Sequence, residues 1–330
     1  MPVRVSYGSS QFEASPDESI LDCLSRNGIA VPHACRSGVC QSCLMHADEG
    51  TIPETAQKDL QPAYIKQDMF LACQCKPEGD MRVSLPNHAM LDTHSVINAK
   101  EMLNHNVMRV RLITPTPYEC EPGQYVTLLT PDGIARSYSV ANNPDADHFI
   151  ELHVRLLNDG AMSRFFMDAD LGESLIVRGP AGKCFYVPEG AQDYPLVLAG
   201  TGTGLAPLYG VLRAALAQGH KGPIHLFHGV LNEPDLYLEQ ELRALESLNA
   251  NVRYSPCVLN GAGGEGRVAG AIETAVLGAL PVEKTAIRLF LCGAPEFVNG
   301  MRRKAFLAGL ASKHIFADPF LPAKPAAVAA

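Results

Sequence analysis

The spacing of the cysteines near the N-terminus is the feature that most constrains how this 330-residue chain can fold. Three cysteines stand in the segment HACRSGVCQSC, which runs from His33 to Cys43, and two more stand in LACQC, at Cys73 and Cys75. The first group has the spacing C-x4-C-x2-C, and a long segment separates it from the second. Thiolates placed in this way can meet only if one loop curls around a common centre and a distant strand end supplies the last of them. The N-terminal segment is therefore expected to fold around a shared thiolate site.

The pattern C-x4-C-x2-C followed by a distant cysteine is typical of the ligands of a plant-type [2Fe–2S] cluster. It predicts Cys35, Cys40 and Cys43 as metal ligands, and the spacing alone leaves both Cys73 and Cys75 open as the fourth. A structural zinc site is the alternative. Such a site usually has two short cysteine pairs, whereas the second group here is C-x-C, so the iron–sulfur interpretation is favoured.

Local signals in the same segment predict a helix and a tight loop. SPDESILDCLSRNG has the features of a helix that is capped at Ser15 or Asp17 and stopped at Gly28. In the cysteine-rich loop, small residues let the backbone approach the sulfurs and donate N–H hydrogen bonds, which tune the potential of such a cluster. These small residues are Ser37, Gly38 and Ser42.

Composition and charge narrow the class of protein. Ten cysteines and an N-terminus without an apolar signal-peptide core indicate a reducing compartment, so we expect a cytoplasmic protein. The formal net charge of -8 and the absence of a lysine- or arginine-rich run argue against nucleic-acid binding. The uncharged segment PLVLAGTGTGLAPLYGVL, from Pro195 to Leu212, is broken by glycines and a proline. We therefore predict a strand, a loop and a helix there, and no membrane span.

The middle segment combines short strands with two polar motifs. After a short connector at residues 93–100, alternating runs separated by Pro/Gly turns predict an antiparallel β-barrel or sandwich. Arg136-Ser137-Tyr138-Ser139 ends one strand, and Gly160-Ala161-Met162-Ser163 begins a helix. A glycine-led helix start suits a pyrophosphate, because it presents N–H groups and the positive end of the helix dipole. An arginine can bind the same anion through two hydrogen bonds, and a tyrosine two residues further on lies on the same strand face, where it can stack on a flat ring.

From Tyr194 onward, apolar strands alternate with helical stretches, which predicts a doubly wound parallel sheet. Ligands of such sheets bind at the carboxyl ends of the strands. The first strand ends in Gly200-Thr-Gly-Thr-Gly-Leu-Ala-Pro207, whose glycines let a phosphate approach the backbone at a helix start, and the fourth ends in Cys292-Gly293. The predicted helices lie near residues 206–218, 235–249, 270–280 and 295–310.

Residues 1–92 resemble the ferredoxin family, which implies a small β-grasp domain around a [2Fe–2S] cluster. In that family an apolar pair such as Leu71-Ala72 precedes the last ligand, so the resemblance implies Cys73 as the fourth ligand. It also implies that Cys35 and Cys40 hold one iron and that Cys43 and Cys73 hold the other. The family often has glycine where Gln41 stands, a departure that removes no ligand.

The motifs of the middle and last segments are similar to those of the ferredoxin–NADP reductase superfamily. RSYS, GAMS and the upstream PGQYV look like its FAD-binding set, while GTGTGLAP and CG look like its nicotinamide-nucleotide motifs. The resemblance implies that Arg136 holds the pyrophosphate, that Tyr138 packs on the isoalloxazine and that Ser139 lies near flavin N5. HIFADPF resembles the C-terminus of oxygenase reductases, whose final aromatic residue, Phe320 here, covers the flavin. The resemblance implies Ser139 and Cys292 as the catalytic residues. The other residues that it implies for binding FAD are Ser137, Gly160, Met162 and Ser163. Those that it implies for binding the nicotinamide nucleotide are Gly200, Thr201, Gly202, Thr203, Gly204, Pro207, Cys292 and Gly293.

The order of the three segments resembles that of NADH-dependent reductase components of multicomponent mono- and dioxygenases. The implied units are a ferredoxin domain at 1–92, a linker at 93–100, an FAD barrel at 101–190, an NAD domain at 191–320 and a disordered tail at 321–330. The implied function is transfer of hydride from NADH to FAD and of single electrons through the cluster to a separate terminal oxygenase. Two alternatives stay open, namely a reductase that serves a deoxysugar dehydratase and a non-catalytic redox-sensing or scaffold protein.

NADH is expected rather than NADPH. The strand HLFHGV is followed by Leu231-Asn232-Glu233, which places an acid, and no arginine, where a 2′-phosphate would be met. Arg253 and Lys221 stay open as basic residues that the fold can bring to this position.

Overall fold

The computed structural model describes residues 3–60, 62–86, 92–264, 266–280 and 287–322. Three sheets follow one another along the chain, and each has its own hydrophobic core. Their order confirms the predicted fold class: a β-grasp unit, an antiparallel β-barrel and a doubly wound α/β unit. The last eight residues of the predicted disordered tail, 323–330, lie outside the described residues.

The first sheet is a five-stranded β-grasp sheet that combines antiparallel and parallel pairs. Its strands are β1 (Val3–Tyr7), β2 (Ser10–Ala14), β3 (Leu44–Glu49), β4 (Met69–Leu71) and β5 (Met81–Ser84). The accompanying helices are α1 (Ile20–Arg26), α2 (Glu54–Gln57) and α3 (Pro62–Ile65). The spatial order is β2-β1-β5-β3-β4, with β1 parallel to β5. Helix α1 packs its buried residues into the core of this sheet.

Helix α1 begins later than the sequence predicts. Its N-cap is Ser19, whose Oγ accepts a hydrogen bond from the backbone N–H of Asp22 at 3.1 Å, so the predicted caps, Ser15 and Asp17, are wrong. The reason lies in the backbone: Asp17 has φ +61°, a left-handed conformation that cannot belong to a right-handed helix. Gly28, the predicted stop, follows directly after the C-cap with φ +78°.

The second sheet closes into a barrel. Its strands are β6 (Asp92–Met102), β7 (Val107–Ile113), β8 (Tyr125–Leu129), β9 (Ala135–Ser139), β10 (Ile150–Arg155) and β11 (Ser174–Ala181). The order is β10-β7-β6-β11-β8-β9, every pair is antiparallel, and a bridge between Val140 and Leu152 joins the two ends. Two short helices, α4 (Pro144–Asp147) and α5 (Ala161–Asp168), flank β10.

The predicted linker at 93–100 is wrong, because these residues lie inside β6 and pair with β7 and β11. Buried and exposed side chains alternate along this strand, but a polar residue occupies one buried position and an apolar residue an exposed one. Ser95 and Ile97 point inward and are buried, while Val96 points outward and is 38% exposed. The inward Ser95 Oγ donates a hydrogen bond to the Leu175 carbonyl at 3.0 Å, which satisfies its polar group. A strand with serine inside and valine outside does not show the apolar alternation by which strands are predicted.

The third sheet is parallel throughout. Its strands are β12 (Leu196–Thr201), β13 (Ile224–Val230), β14 (Val252–Val258), β15 (Val268–Ala269), β16 (Arg288–Gly293) and β17 (Ile315–Pro319). The helices are α6 (Leu205–Ala217), α7 (Glu239–Leu248), α8 (Ile272–Ala279) and α9 (Pro295–Leu307), close to the predicted ranges. The order β15-β14-β13-β12-β16-β17 reverses between β12 and β16. Such a reversal opens a crevice at the carboxyl ends of the two strands, where open α/β sheets bind ligands.

Separate hydrophobic cores cover the two faces of the parallel sheet, as doubly wound folds require. The segment from Pro195 to Leu212 forms β12, a glycine loop and the first part of α6, as predicted. No described helix combines the length and apolarity needed to cross a bilayer.

A buried ion pair joins β6 to β11 where the chain enters the barrel. Arg178 Nε donates to Asp92 Oδ1 at 2.8 Å and its Nη2 donates to Asp92 Oδ2 at 3.1 Å. The two side chains are only 6% and 3% exposed. A bidentate pair of this kind fixes both strands, and removing one partner leaves an uncompensated buried charge.

We expect Asp92→Asn to lower the free energy of unfolding by about 3 kcal/mol, because Arg178 keeps a buried charge without its carboxylate. Urea denaturation followed by far-UV circular dichroism measures the change. Asp80→Asn is the matched control, since the ion pair between Asp80 and Arg4 has more than half of both side chains exposed and should contribute little. Equal losses in the two variants would contradict this assignment.

Candidate functional site

The four predicted metal ligands come together as two pairs of thiols. Cys35 and Cys40 lie on the loop between α1 and β3, Cys43 directly precedes β3, and Cys73 follows β4. The thiols of Cys35 and Cys40 are in hydrogen-bond contact, and so are those of Cys43 and Cys73. Each pair is also close enough to interact electrostatically with the other. These are the two pairs that the ferredoxin resemblance implies.

Backbone and side-chain donors surround the sulfurs of the first pair. The backbone N–H groups of Ser37 and Cys40 donate to Cys35 Sγ at 3.4 and 3.3 Å, and Ser42 Oγ donates to Cys40 Sγ at 3.0 Å. The contact with the Cys40 thiol, supported by these N–H groups, lowers the pKa of Cys35 to about 4. The contact with the Cys43 thiol likewise lowers the pKa of Cys73 to about 7. The same contacts raise the pKa of Cys40 and Cys43, so metal binding has to release the protons of these two thiols.

The pairing suits a dinuclear cluster better than a single ion. In a Cys₄ [2Fe–2S] cluster the four thiolates divide between two irons, whereas a structural zinc ion needs four ligands around one centre. Among the described residues, no three His, Cys, Asp or Glu side chains converge on one ion position. The donor set therefore fits a [2Fe–2S] cluster.

Cys75 lies apart from these pairs. It is fully buried in the core of the first sheet, where its Sγ is 3.9 Å from Met81 Sδ, and burial raises its pKa to about 12. Cys73 is partly exposed at the edge of the loop. The geometry therefore supports the prediction of Cys73 as the fourth ligand.

The loop bends through left-handed backbone conformations. Gly38 has φ +82°, and a Cβ there would lie 2.9 Å from Gln74 Cγ. Gln41 has φ +55°, a conformation that costs a side-chain-bearing residue more than it costs glycine. This geometry explains why a glycine suits the Gln41 position in the family that the loop resembles.

The predicted flavin motifs meet at one side of the barrel. Arg136 and Tyr138 alternate with Ser137 along β9, so they share a strand face, and the Tyr138 ring packs edge-on against Phe166 of α5 at 6.1 Å. Arg136 Nη1 donates to the Ala135 carbonyl at 2.7 Å. This arrangement places an arginine and a tyrosine on one face beside the glycine-led helix.

Gly160 is the N-cap of α5, and the first N–H groups of the helix open beside it. A Cβ at Gly160 would lie 2.7 Å from Ser163 Oγ, so the helix start leaves no room for a side chain. Ser163 Oγ accepts a hydrogen bond from the Leu157 backbone at 2.9 Å, which fixes the preceding loop, and Met162 is buried under the helix. These residues fit a bound pyrophosphate.

The glycine loop after β12 packs directly on the end of β16. A Cβ at Gly204 would lie 2.3 Å from the Cys292 carbonyl oxygen, and one at Gly293 would lie 2.5 Å from Thr201 Oγ1. Thr201 Oγ1 also accepts a hydrogen bond from the Ala294 backbone at 3.0 Å. The structure thus brings together all the predicted nucleotide-binding residues, Gly200, Thr201, Gly202, Thr203, Gly204, Pro207, Cys292 and Gly293. They lie at the strand-order reversal, where the glycine loop fits a dinucleotide phosphate beside a helix start, and the Cys292 side chain is fully buried beneath it.

Close backbone contacts hold the barrel against the parallel sheet. A Cβ at Gly210, in α6, would lie 2.9 Å from the Val140 carbonyl oxygen and 3.1 Å from the Gly123 nitrogen. A Cβ at Gly123 would in turn lie 2.3 Å from the Cys184 carbonyl oxygen. The PGQYV motif of the barrel and the helix after the nucleotide loop therefore meet backbone to backbone.

The two predicted catalytic residues, Ser139 and Cys292, lie on either side of this contact. Ser139 is the register partner of Tyr125, and Tyr125 interacts electrostatically with Asp318. Asp318 is in turn the register partner of Cys292, and the backbone N–H of Phe320 donates to the Gly293 carbonyl at 2.8 Å. The flavin and nicotinamide motifs thus lie close to each other where the barrel meets the parallel sheet, and the predicted aromatic residue Phe320 is hydrogen-bonded to the end of β16.

Three residues beside these motifs were not predicted. Burial raises the pKa of Asp318 to about 7. Cys184 Sγ is 3.3 Å from Cys292 Sγ. His228 Nε2 donates to the Gly202 carbonyl at 3.1 Å, and burial lowers the pKa of this histidine to about 4, so its ring is neutral. The sequence carried only weak signals for these residues. Asp318 is an acid in the otherwise apolar segment IFADPF, and His228 and Cys184 stand in ordinary apolar segments.

We expect Cys73→Ser to lose most of its iron and acid-labile sulfide, because one of four thiolates is removed. Cys75→Ala is the matched control and should keep the cluster, since its sulfur packs against Met81 in the core. Iron and sulfide content and EPR after dithionite reduction measure the outcome. Loss of the cluster in Cys75→Ala with retention in Cys73→Ser would reverse the ligand assignment.

For Gly204→Ala we expect kcat/KM for NADH to fall by at least about tenfold, because the new Cβ displaces the nucleotide loop from Cys292. NADH oxidation with ferricyanide measures this, and FAD and cluster contents should stay unchanged. Gly278→Ala in α8 is the control, since a Cβ there meets no atom within 4 Å and alanine favours a helix. A normal kcat/KM in Gly204→Ala would show that the loop has no role in binding.

Three family models match consecutive parts of the chain. The 2Fe-2S iron-sulfur cluster binding domain matches residues 5–78, the oxidoreductase FAD-binding domain matches 94–186 and the oxidoreductase NAD-binding domain matches 198–303. The second match begins inside β6, in agreement with the strand found there.

Relatives and solved structures match the chain over almost its whole length. The chain is 30% identical over 318 residues to the ferredoxin–NAD(P)(+) reductase component of the naphthalene 1,2-dioxygenase/salicylate 5-hydroxylase systems of a Ralstonia species, covering 94% of this chain and 96% of that protein. It is 31% identical to the alkene monooxygenase system ferredoxin–NAD(+) reductase component of Xanthobacter autotrophicus, over 97% and 100% of the two chains. The crystal structure of the Amycolatopsis cytochrome P450 reductase GcoB superposes with a TM-score of 0.69 at 27% identity, over 97% and 99% of the chains. The chain therefore belongs to the family of ferredoxin–NAD(P)+ reductase components, as an NAD(P)H-dependent oxidoreductase with FAD and a [2Fe–2S] cluster.

Proposed function

We propose that this chain takes hydride from NADH and delivers single electrons through its [2Fe–2S] cluster to a separate terminal oxygenase. The observation that carries the proposal is the order of the three sites. The nucleotide crevice, the flavin motifs and the thiol pairs follow one another, and each contacts the next. The oxygenase partner, in preference to a deoxysugar dehydratase, is supported by the relatives named above, which are components of oxygenase systems. Because these relatives are reductases, they also argue against a non-catalytic scaffold.

The number of electrons that each group transfers explains the order of the sites. A nicotinamide gives two electrons as a hydride and a [2Fe–2S] cluster accepts one, so bound FAD supplies the conversion between them. The protein has to hold the reacting groups in contact and exclude water from the cleft. The backbone contacts of Gly123 and Gly210 support the first requirement.

The predicted residues take the following roles in this proposal. Arg136 and the start of α5 bind the pyrophosphate of FAD, and Tyr138 packs against its ring system. Ser139 lies beside the reacting edge of the flavin, and the segment Cys292-Gly293 lies beside the nicotinamide. Phe320 covers the cleft and keeps water out. These roles need positioning and hydrogen bonding only, so no general base is required.

The preference for NADH is supported by the residues that follow β13. Glu233 begins a short helical turn there, at the carboxyl end of the strand, where an acid suits a ribose hydroxyl. Arg267 reaches this position, but it pairs with Glu239 at 3.0 Å and lies 3.6 Å from Glu233. Arg253 and Lys221, the bases left open by the sequence, lie at or before the amino-terminal halves of β14 and β13. They therefore lie away from the carboxyl-end crevice.

Charge and thiol chemistry support the proposed partner and compartment. Residues 1–92 contain 12 acidic and 7 basic side chains, and this negative charge suits a transient, partly electrostatic contact with an oxygenase.

All ten cysteines are described and none is bridged, which supports a reducing cytoplasmic compartment.

The proposal is tested by comparing an electron acceptor that does not need the cluster, ferricyanide, with acceptors that do need it, cytochrome c and a terminal oxygenase. We expect Cys43→Ser to keep NADH–ferricyanide activity while reduction of cytochrome c and NADH-dependent turnover with an added terminal oxygenase fall by at least about tenfold, because the cluster is lost. NADPH in place of NADH should support slower reduction of the wild-type flavin. If Cys43→Ser reduces cytochrome c and supplies the oxygenase as fast as the wild type, the cluster is not the outlet and the proposal fails.

A further inference from the structure

Strand β8 is buried on both faces, although one side of a barrel strand commonly faces solvent. Val126 and Leu128 point into the barrel core. Tyr125 and Thr127 point to the other side and are only 9% and 3% exposed, because the cysteine loop of the first domain covers them. The barrel and the ferredoxin domain therefore meet across this outer face of β8.

Two hydrogen bonds run from β8 to the cysteine loop. The Tyr125 hydroxyl donates to the Val39 carbonyl at 2.5 Å, and the Thr127 hydroxyl donates to the Cys40 carbonyl at 2.9 Å. Cys40 is one of the four cluster ligands, so Thr127 contacts the backbone of a residue that holds iron. The ion pair between Lys183 and Asp59 at the rim is largely exposed and contributes little to this contact.

The contact continues from Thr127 to β9, the strand that carries the RSYS motif and is called the flavin strand below. Thr127 Oγ1 lies 2.9 Å from Ser137 Oγ, and the two residues are register partners on β8 and β9. Because the Thr127 proton is donated to Cys40, the bond between the hydroxyls is donated by Ser137. Ser137 stands between Arg136 and Tyr138, the two residues that share the flavin-binding face. A directed chain of two hydrogen bonds thus links that strand to a cluster ligand, away from competing water.

We propose that Thr127 is a positioning residue for electron transfer between flavin and cluster. It fixes the cysteine loop against the flavin strand and supplies a hydrogen-bonded path from Ser137 to Cys40. This inference rests on the proposed function and adds a residue to it. Bound FAD would supply one electron in each transfer and a bound [2Fe–2S] cluster would accept it, and the hydroxyls of Thr127 and Ser137 keep their protons.

The test compares Thr127→Val, which keeps the side-chain shape and removes the hydroxyl, with Thr127→Ser, which keeps the hydroxyl. In stopped flow with NADH, flavin bleaching gives a first phase and cluster bleaching a second. We expect the ratio of the second rate to the first to fall about tenfold in Thr127→Val, as small displacements of reacting groups commonly produce, and to stay near the wild-type value in Thr127→Ser.

A second readout needs no turnover. In oxidised protein without NADH, hydrogen–deuterium exchange of the peptide that covers residues 35–43 should become several-fold faster in Thr127→Val and stay unchanged in Thr127→Ser. An unchanged rate ratio or unchanged exchange in Thr127→Val, or equal slowing in both variants, would overturn the role of the hydroxyl. A wild-type protein whose flavin bleaches while its cluster stays oxidised would instead overturn the proposed function, and this inference with it.

Discussion

The backbone contact between Gly123 of the barrel and Gly210 of α6 is the constraint on which the geometry of the cleft depends. Hydride transfer requires two flat rings to touch, so the domain that binds the donor must approach the domain that binds the acceptor within van der Waals distance. A side chain at either glycine would push the two domains apart, since a Cβ at Gly210 already lies 2.9 Å from the Val140 carbonyl oxygen. Glycine has to occupy both positions for the barrel and the parallel sheet to keep this close approach.

Specific hydrogen bonds hold the ferredoxin domain against the barrel, and a buried ion pair fixes the barrel strand that follows it, while the exposed pair between Lys183 and Asp59 contributes little. The pair between Asp92 and Arg178 fixes the strand by which the chain enters the barrel. Tyr125 and Thr127 then bond the cysteine loop to the next strand of the sheet. Buried polar contacts of this kind are directional and costly to leave unmade, so they specify one arrangement of two domains.

Chemistry that follows from residue type and spacing was predictable from the sequence. The cysteine spacing predicted three of the four thiols that the fold brings together, and the resemblance to the ferredoxin family implied the fourth, Cys73. The glycine motifs predicted the nucleotide crevice, because such motifs depend on local geometry. The connector at 93–100 was wrong, since Ser95 faces inward and Val96 outward, and the α1 cap was wrong because Asp17 is left-handed. Thr127 and Asp318 could not be identified, because their surroundings are made by segments distant in the chain.

Three of the predicted cluster ligands, Cys35, Cys40 and Cys43, are buried, and the fourth, Cys73, is partly exposed. Cys40, on the barrel side, is 7% exposed and its carbonyl is engaged by Thr127, whereas Cys73 is partly open to solvent. A protein that docks over Cys73 approaches the irons without displacing the barrel from the opposite edge. If an oxygenase docks over Cys73, as the proposed function allows, the cluster can be reduced and oxidised again without a change in the contact between the ferredoxin domain and the barrel.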